Sequence, residues 1–295
     1  MKIFTPLPGE YVASALQRGN EMLGIKTLSS ADFRIIPIPR KGYARTGLGK
    51  KAEYRKHAVF QFPSLFTERK ITEEVLHNHT LYPLTTALGR STTNTIITPT
   101  FWKKICPDCA YEDFENHGTA YVHRSHVQAS VQVCSIHGSN LITTCPTCST
   151  PIQNHDITGL GVCSQKYKNS TRQLNSPNHS YSIFIAELMN YKGAPAKTND
   201  AQWIVGHSLY IKYFNEMYSD DNYLSKIITH ELGVKSINSN YRTASDQNFT
   251  IQAFLGCGTA ERYLDLLTNK AATAQLQKEV NALDHARRRR KALTA

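Results

Sequence analysis

A mainly α-helical protein organised around small cysteine-rich knuckles is predicted by three features of this 295-residue chain. Helix-patterned segments occupy both ends. Six of the seven cysteines fall between Cys106 and Cys163. The stretch from Phe101 to about Ser176 is rich in Cys, His, Thr and Gly and has little helical period. At about 100–200 residues per domain the chain suits two or three small ones. The pattern divides it into a helical N-terminal domain over 1–100, a knuckle region over 101–176 and a helical domain over 177–295.

The N-terminal region opens with the Pro-Gly turn of LPGE and continues as a helix over YVASALQRGNEMLG, with Gly24 as its stop. Residues 34–56 change character. Eight basic residues, Arg34, Arg40, Lys41, Arg45, Lys50, Lys51, Arg55 and Lys56, stand against the single acid Glu53, and Pro37, Pro39, Gly42, Gly47 and Gly49 predict a loop. ITEEVLHNHTLYPLTTALG (71–89) reads as helix broken at Pro83. Past the knuckles, helix patterns return at 181–191, 201–218, 221–233, 249–256 and 259–267. A polar helix candidate over 273–295 ends in Arg287, Arg288, Arg289, Arg290 and Lys291.

Charge and composition narrow the function classes. Lys and Arg total 34 against 23 acids, net +11, which points to a polyanion such as nucleic acid or to an acidic protein surface. Hydrophobic residues make up 40%, enough for ordinary cores. No apolar run approaches the ~18 residues of a membrane helix. The start, MKIFTPLPGEY, has Pro and Glu where a signal peptide needs an apolar stretch, so a cytoplasmic protein without a membrane role is expected.

Cysteines crowded this way in a reducing compartment are metal ligands more often than disulfides. Cys106-Pro-Asp-Cys109 is a two-cysteine turn whose thiolates can face one tetrahedral ion, and Cys134-Ser-Ile-His137 offers a matching pair. Together they satisfy a structural zinc. Cys145-Pro-Thr-Cys148 starts a second knuckle, with Cys163 downstream. The position expected to supply its fourth ligand is Lys166, so either His155 or His179 completes the site, or the site is a metal-free remnant. His117, His123 and His126 read as surface or packing residues, His77 and His79 as helix or core residues, and Cys257 as a small buried apolar residue. The fold class is therefore mainly α with small zinc-knuckle or zinc-ribbon modules.

The segment CPDCAYEDFENHGTAYVHRSHVQASVQVCSIHGSNLITTCPTC resembles the TniQ/TnsD family of transposition targeting proteins, whose pattern is CPxC, then CxxHG, then an apolar run to a second cysteine pair. Cys106, Cys109, Cys134, His137, Gly138, Leu141, Cys145 and Cys148 match it. LPGEYVASALQRG looks like the family's N-terminal Pro-x-x-Glu-Ser helix with its Arg, with Tyr11 in place of the Ser, and HTLYPL (79–84) resembles a segment that precedes the zinc region. The resemblance covers about residues 5–150 and weakens beyond. It implies target choice for transposition. One branch binds an attachment site on DNA. Shorter members attach as homodimers to an RNA-guided CRISPR effector, Cascade, with its guide RNA. Both connect target DNA to the AAA+ regulator TnsC. The chain's length favours the Cascade-associated branch.

Two segments have the cadence of a helix-turn-helix. ITHELGVKSINSNYR (228–242) would present Lys235, Asn238, Asn240 and Arg242, and IQAFLGCGTAERYLDLL (251–267) would present Glu261 and Asp265, which repel phosphate. A plain bundle of short helices reads the same way. The basic loop, with Arg40, Lys41, Arg45, Lys50, Lys51, Arg55 and Lys56 interleaved with Tyr43 and Tyr54, and the Arg287–Arg290 run are candidates for nucleic-acid or partner binding. Trp203, Ile204, Tyr210, Ile211, Phe214 and Tyr218 form an aromatic stripe suited to a core or to a dimer interface. Catalytic signatures are missing: GLGK at 47–50 is too short for a phosphate loop, and neither HExxH nor GxSxG occurs. An adaptor is expected, with a zinc-dependent transcription regulator and a nuclease as the alternatives.

Overall fold

The computed structural model describes residues 5–24, 36–38, 59–61, 73–89, 104–167, 171–216, 223–233 and 244–294. Among them helices dominate, with one two-stranded antiparallel pairing, β1 (Ile36–Ile38) with β2 (Val59–Gln61), in the register Ile36 to Gln61 and Ile38 to Val59. The strands depart from the loop expected near residue 36. Alternation of branched residues outweighs Pro37 there because a two-stranded pairing has only edges, where proline is tolerated.

One compact unit comprises 1–86 and 90–195, and a second comprises 87–89 and 196–295. In the first, α1 (Val12–Met22) is buried on almost every side, through Val12, Ala13, Ser14, Ala15, Leu16, Gln17, Gly19 and Asn20. Its small side chains let other chain segments approach closely. The expected break at Pro83 lies earlier, at Thr80–Leu81. There α2 (Glu73–His79) ends and α3 (Tyr82–Ala87) begins, with Pro83 in the first turn, where a missing N–H costs nothing. The Thr80 hydroxyl accepts from Tyr82 N at 3.0 Å and starts the second helix.

Two helices occur in the region that shows little helical period. α4 (Pro107–His117) has proline at its first position and ends at Gly118, whose φ of 70° closes it with a left-handed cap. α5 (Ile157–Ser164) packs beside it. Gly161 sits where a Cβ would fall 2.7 Å from Phe114. α6 (Pro177–Leu188) is capped by the Ser176 hydroxyl, which accepts from His179 N at 3.1 Å, and it buries Tyr181, Phe184, Ile185 and Leu188. The core of this unit joins Tyr11, Leu16, Leu81, Leu84, Ile105, Val122, Ile152 and Leu160 to these residues.

The second unit is helical. It comprises α7 (Thr198–Lys212), α8 (Tyr223–Leu232), α9 (Ala244–Cys257), α10 (Ala260–Thr268) and α11 (Lys270–Thr294); α7 packs against α9, α10 and α11, and Ile204, Val205, Leu209, Leu232, Phe254, Tyr263, Leu276 and Val280 are buried. The aromatic stripe of α7 divides: Ile204 is buried, whereas Trp203, Tyr210, Ile211 and Phe214 are half-buried. Trp203 stacks on His207 with ring centroids 4.3 Å apart, and the Tyr210 hydroxyl donates to Asp284 at 2.6 Å. Tyr218 lies outside the described residues. Cys257 is buried as expected, its thiol 3.7 Å from the Ser208 hydroxyl.

Candidate metal centre

Two chain reversals build the first ligand set. The Cys106–Cys109 pair is the opening turn of α4. The Cys134–His137 pair is a tight hairpin in which Gly138 N donates to Cys134 O at 2.9 Å and Cys134 N donates to Ser139 O at 2.8 Å. Gly138 has φ +66°, and a Cβ on it would lie 2.7 Å from the Leu174 side chain. Glycine is thus required by the turn and by the close approach of Leu174. The Cys145–Cys148 turn repeats the pattern. Ser149 N donates to Cys145 O at 2.9 Å, Cys145 N donates to Thr150 O at 2.9 Å, and Ser149 takes the left-handed conformation at φ 61°.

These turns bring Cys106, Cys109, Cys134 and His137 together, with all ligand atoms within 4.8 Å of one another. The Cys109 and Cys134 sulfurs are 3.6 Å apart, and His137 Nδ1 stands 3.6, 3.3 and 3.8 Å from the sulfurs of Cys106, Cys109 and Cys134. A tetrahedral zinc, with bonds of about 2.3 Å to sulfur and 2.0–2.1 Å to nitrogen, sets its ligand atoms about 3.5–3.8 Å apart. The donor set fits. His137 Nε2 donates to Glu112 Oε1 at 3.0 Å, which leaves Nδ1 as the lone-pair atom facing the sulfurs.

Charge at the site points the same way. Hydrogen bonds from Cys106 and Cys109 draw Cys134 strongly down toward the thiolate, against the effect of burial. Cys109 is driven far up by its pairing with Cys106 and Cys134 and then by burial. Cys106, eased by Cys109 but opposed by Cys134 and burial, is pushed up to about 12. Three converging buried thiols oppose one another's ionisation. A dication supplies the charge that lets all three ionise.

The second set is Cys145, Cys148, His155 and Cys163, again within 4.8 Å. The structure brings in His155 and leaves out His179. His155 Nε2 is 3.4 Å from the Cys148 sulfur, and its Nδ1 donates to Asp156 O at 2.8 Å. His179 instead bonds Ser135 O through Nε2 and accepts from Asn175 N. The Tyr167 hydroxyl donates to the Cys145 sulfur at 3.3 Å. This site is more open than the first. Cys148 is exposed, and hydrogen bonds from Thr150 lower its thiol to about 6, whereas burial and then Cys145 and Cys148 raise Cys163 to about 12.

The neighbouring histidines serve the packing. His123 Nε2 pairs with Asp113 at 2.8 Å and its ring stacks on Tyr121, while His126 is buried and its pKa is lowered by that burial. His79 Nδ1 donates to Glu10 O at 2.8 Å. His117 is exposed. The sequence reading missed Glu112 and Asp113. Their signal is position: they follow Cys109 by three and four residues, the spacing that stacks side chains on one helical face, and α4 was not expected to be a helix.

The basic candidates are distributed differently. Arg40, Lys41, Arg45, Lys50, Lys51, Arg55, Lys56, Lys235 and Arg242 lie outside the described residues. Arg287, Arg288 and Arg289 lie on α11, the last two exposed, and Arg290 continues the same helix backbone. α8 ends at Gly233, φ +61°, and the rest of the first helix-turn-helix candidate lies outside the described residues. In the second, α9 passes through Gly258 and Thr259 directly into α10. The Thr259 hydroxyl accepts from Arg262 N at 3.2 Å, and Glu261, Arg262 and Asp265 are exposed. Among the described residues no helix is long and apolar enough to cross a membrane.

No curated protein and no solved structure matches the chain. The family model described as TniQ matches residues 3–141, a span that takes in α1, α2, α3, α4 and the whole of the first ligand set. The chain therefore carries a TniQ domain over residues 3–141, just under half of its length.

Proposed function

We propose that the chain is a non-enzymatic target-selection adaptor for DNA transposition. It works in the cytoplasm as a homodimer with zinc in both ligand sets. It links an RNA-guided Cascade complex on target DNA to TnsC, which brings the transposase. The observation that carries this reading is the TniQ match over residues 3–141. The closed ligand sets support it, because four protein ligands leave no coordination position for water and suit zinc that organises a fold. Zinc in such a site supplies folding free energy. The chain's own residues supply its surroundings, with Glu112 orienting His137 and Tyr167 donating to Cys145.

A second reading, a TnsD-like protein that binds an attachment site, is favoured by the direct turn from α9 into α10. The exposed Glu261 and Asp265 on α10 weigh against it, since both repel phosphate. Copurification from cells carrying the whole transposon tests the first reading. A CRISPR complex should come down with this chain, and deleting the chain should abolish targeted insertion while guide-RNA binding by that complex persists. Insertion that stays targeted without the chain refutes the adaptor. Loss confined to one fixed chromosomal site selects the second reading. Replacing Lys50, Lys51, Arg55 and Lys56 by Ala should weaken nucleic-acid or complex binding and flatten its salt dependence.

A further inference from the structure

The N-terminus of α5 is held by a carboxylate from a distant part of the chain. Asp156 occupies its N-cap position, yet makes no side-chain cap hydrogen bond. Glu21, in the last turn of α1, does this instead. Its Oε1 accepts from Ile157 N at 3.0 Å, and its Oε2 accepts from Thr158 N at 2.8 Å and from the Thr158 hydroxyl at 3.1 Å. Gln17, one turn earlier on α1, donates to Glu21 Oε1 at 2.6 Å and reaches His155 O at 3.5 Å. The carboxylate therefore meets two of the orphan amides and the positive end of the helix dipole.

Both ends of α5 belong to the second ligand set. His155 stands two residues before Ile157, and Cys163 lies in the last turn. Thr147, inside the Cys145–Cys148 knuckle, donates to Cys163 O at 2.9 Å and fixes the far end. What holds the start of α5 therefore sets the spacing between His155 and the three sulfurs.

We infer that Glu21 is a positioning residue for the second metal site, and that metal at this site and the C-terminal turn of α1 stabilise each other. The inference rests on the reading of Cys145, Cys148, His155 and Cys163 as a metal site. The first ligand set does not share the device, because its helix α4 starts from its own Pro107 and Glu21 makes no hydrogen bond to it. Coupling of this kind is reciprocal: a residue that tightens metal binding is itself tightened by the metal.

The test is a competition titration of the reduced, zinc-loaded full chain with graded chelator, for the wild type, Glu21→Ala and Glu21→Gln. Wild type should carry two zinc ions. Both variants should still carry two before chelator is added, with the weaker-held ion bound roughly tenfold less tightly and the other unchanged. Amide hydrogen exchange in residues 17–23 of the wild type should quicken when the chelator strips the second ion alone. Glu21→Gln keeps the side chain's volume and guards against a variant that simply fails to fold. Equal affinities in all three proteins, an equal loss at both sites, or exchange in 17–23 that ignores the second ion overturns the coupling. A wild type that binds one ion overturns the metal reading of this site and the coupling with it.

Discussion

Glu10 and Arg18 form an ion pair at 2.8 Å in which the carboxylate side chain is 0% exposed and the guanidinium 12%. Arg18 Nε adds a second bond to the other carboxylate oxygen at 3.1 Å. Leu7 N donates to Glu10 at 2.8 Å and the Ser14 hydroxyl at 3.2 Å, so the acid is fully engaged. Pairing with Arg and the two neighbouring donors is what makes a buried acid tolerable here. It also explains why the Pro8-Gly9-Glu10 turn and an arginine two helical turns later occur together in the sequence.

Arg18→Ala leaves the Glu10 carboxylate buried without its cation. Breaking a buried pair from one side costs about 3–5 kcal/mol, a large share of a domain's typical stability. Chemical denaturation should show a loss of about that size. A loss below about 1 kcal/mol would place the pair with ordinary surface ion pairs.

Metal content separates the two ligand sets. Purified protein should carry two zinc ions per chain. Cys109→Ser should make the first unit unfold or the protein insoluble, because structural zinc contributes on the order of 10–16 kcal/mol in finger peptides. Cys148→Ser should leave a soluble chain with one zinc. A chelator should remove the ion near exposed Cys148 first. Folded, metal-free wild-type protein would refute the zinc assignment.

Acid should destabilise the first unit through His79. Burial lowers its pKa below the ordinary 6.5, against the backbone bond to Glu10. The unfolded chain therefore binds the proton more readily. The neutral ring's contribution is complete above about pH 6.5 and is lost as pH falls from there through the folded pKa. His79→Asn keeps a donor for Glu10 O but does not titrate. Melting temperature measured from pH 7.5 to 5 should fall less steeply in the variant than in the wild type. Equal slopes would remove His79 as a source of the acid sensitivity.

The sequence by itself determined what depends on short-range geometry. A two-residue spacer places two ligands on one side of a turn wherever the chain goes, so the Cys106, Cys109, Cys134 and His137 set was legible. So were α1, with its stop at Gly24, and the helices of the second half. The tertiary structure decided what depends on where distant segments meet. His155 and His179 are equally good ligands by residue type, and only the turn into α5 carries one of them to Cys145, Cys148 and Cys163. Glu112 and Glu21 act on groups 25 and 136 residues away, a relation that no local pattern encodes. α4 was missed although Pro107 and Gly118 mark both its ends. Its inward face, Pro107, Cys109, Ala110 and Asp113, is committed to ligands and a histidine pair rather than to large apolar side chains, so the hydrophobic period that betrays most helices is absent there.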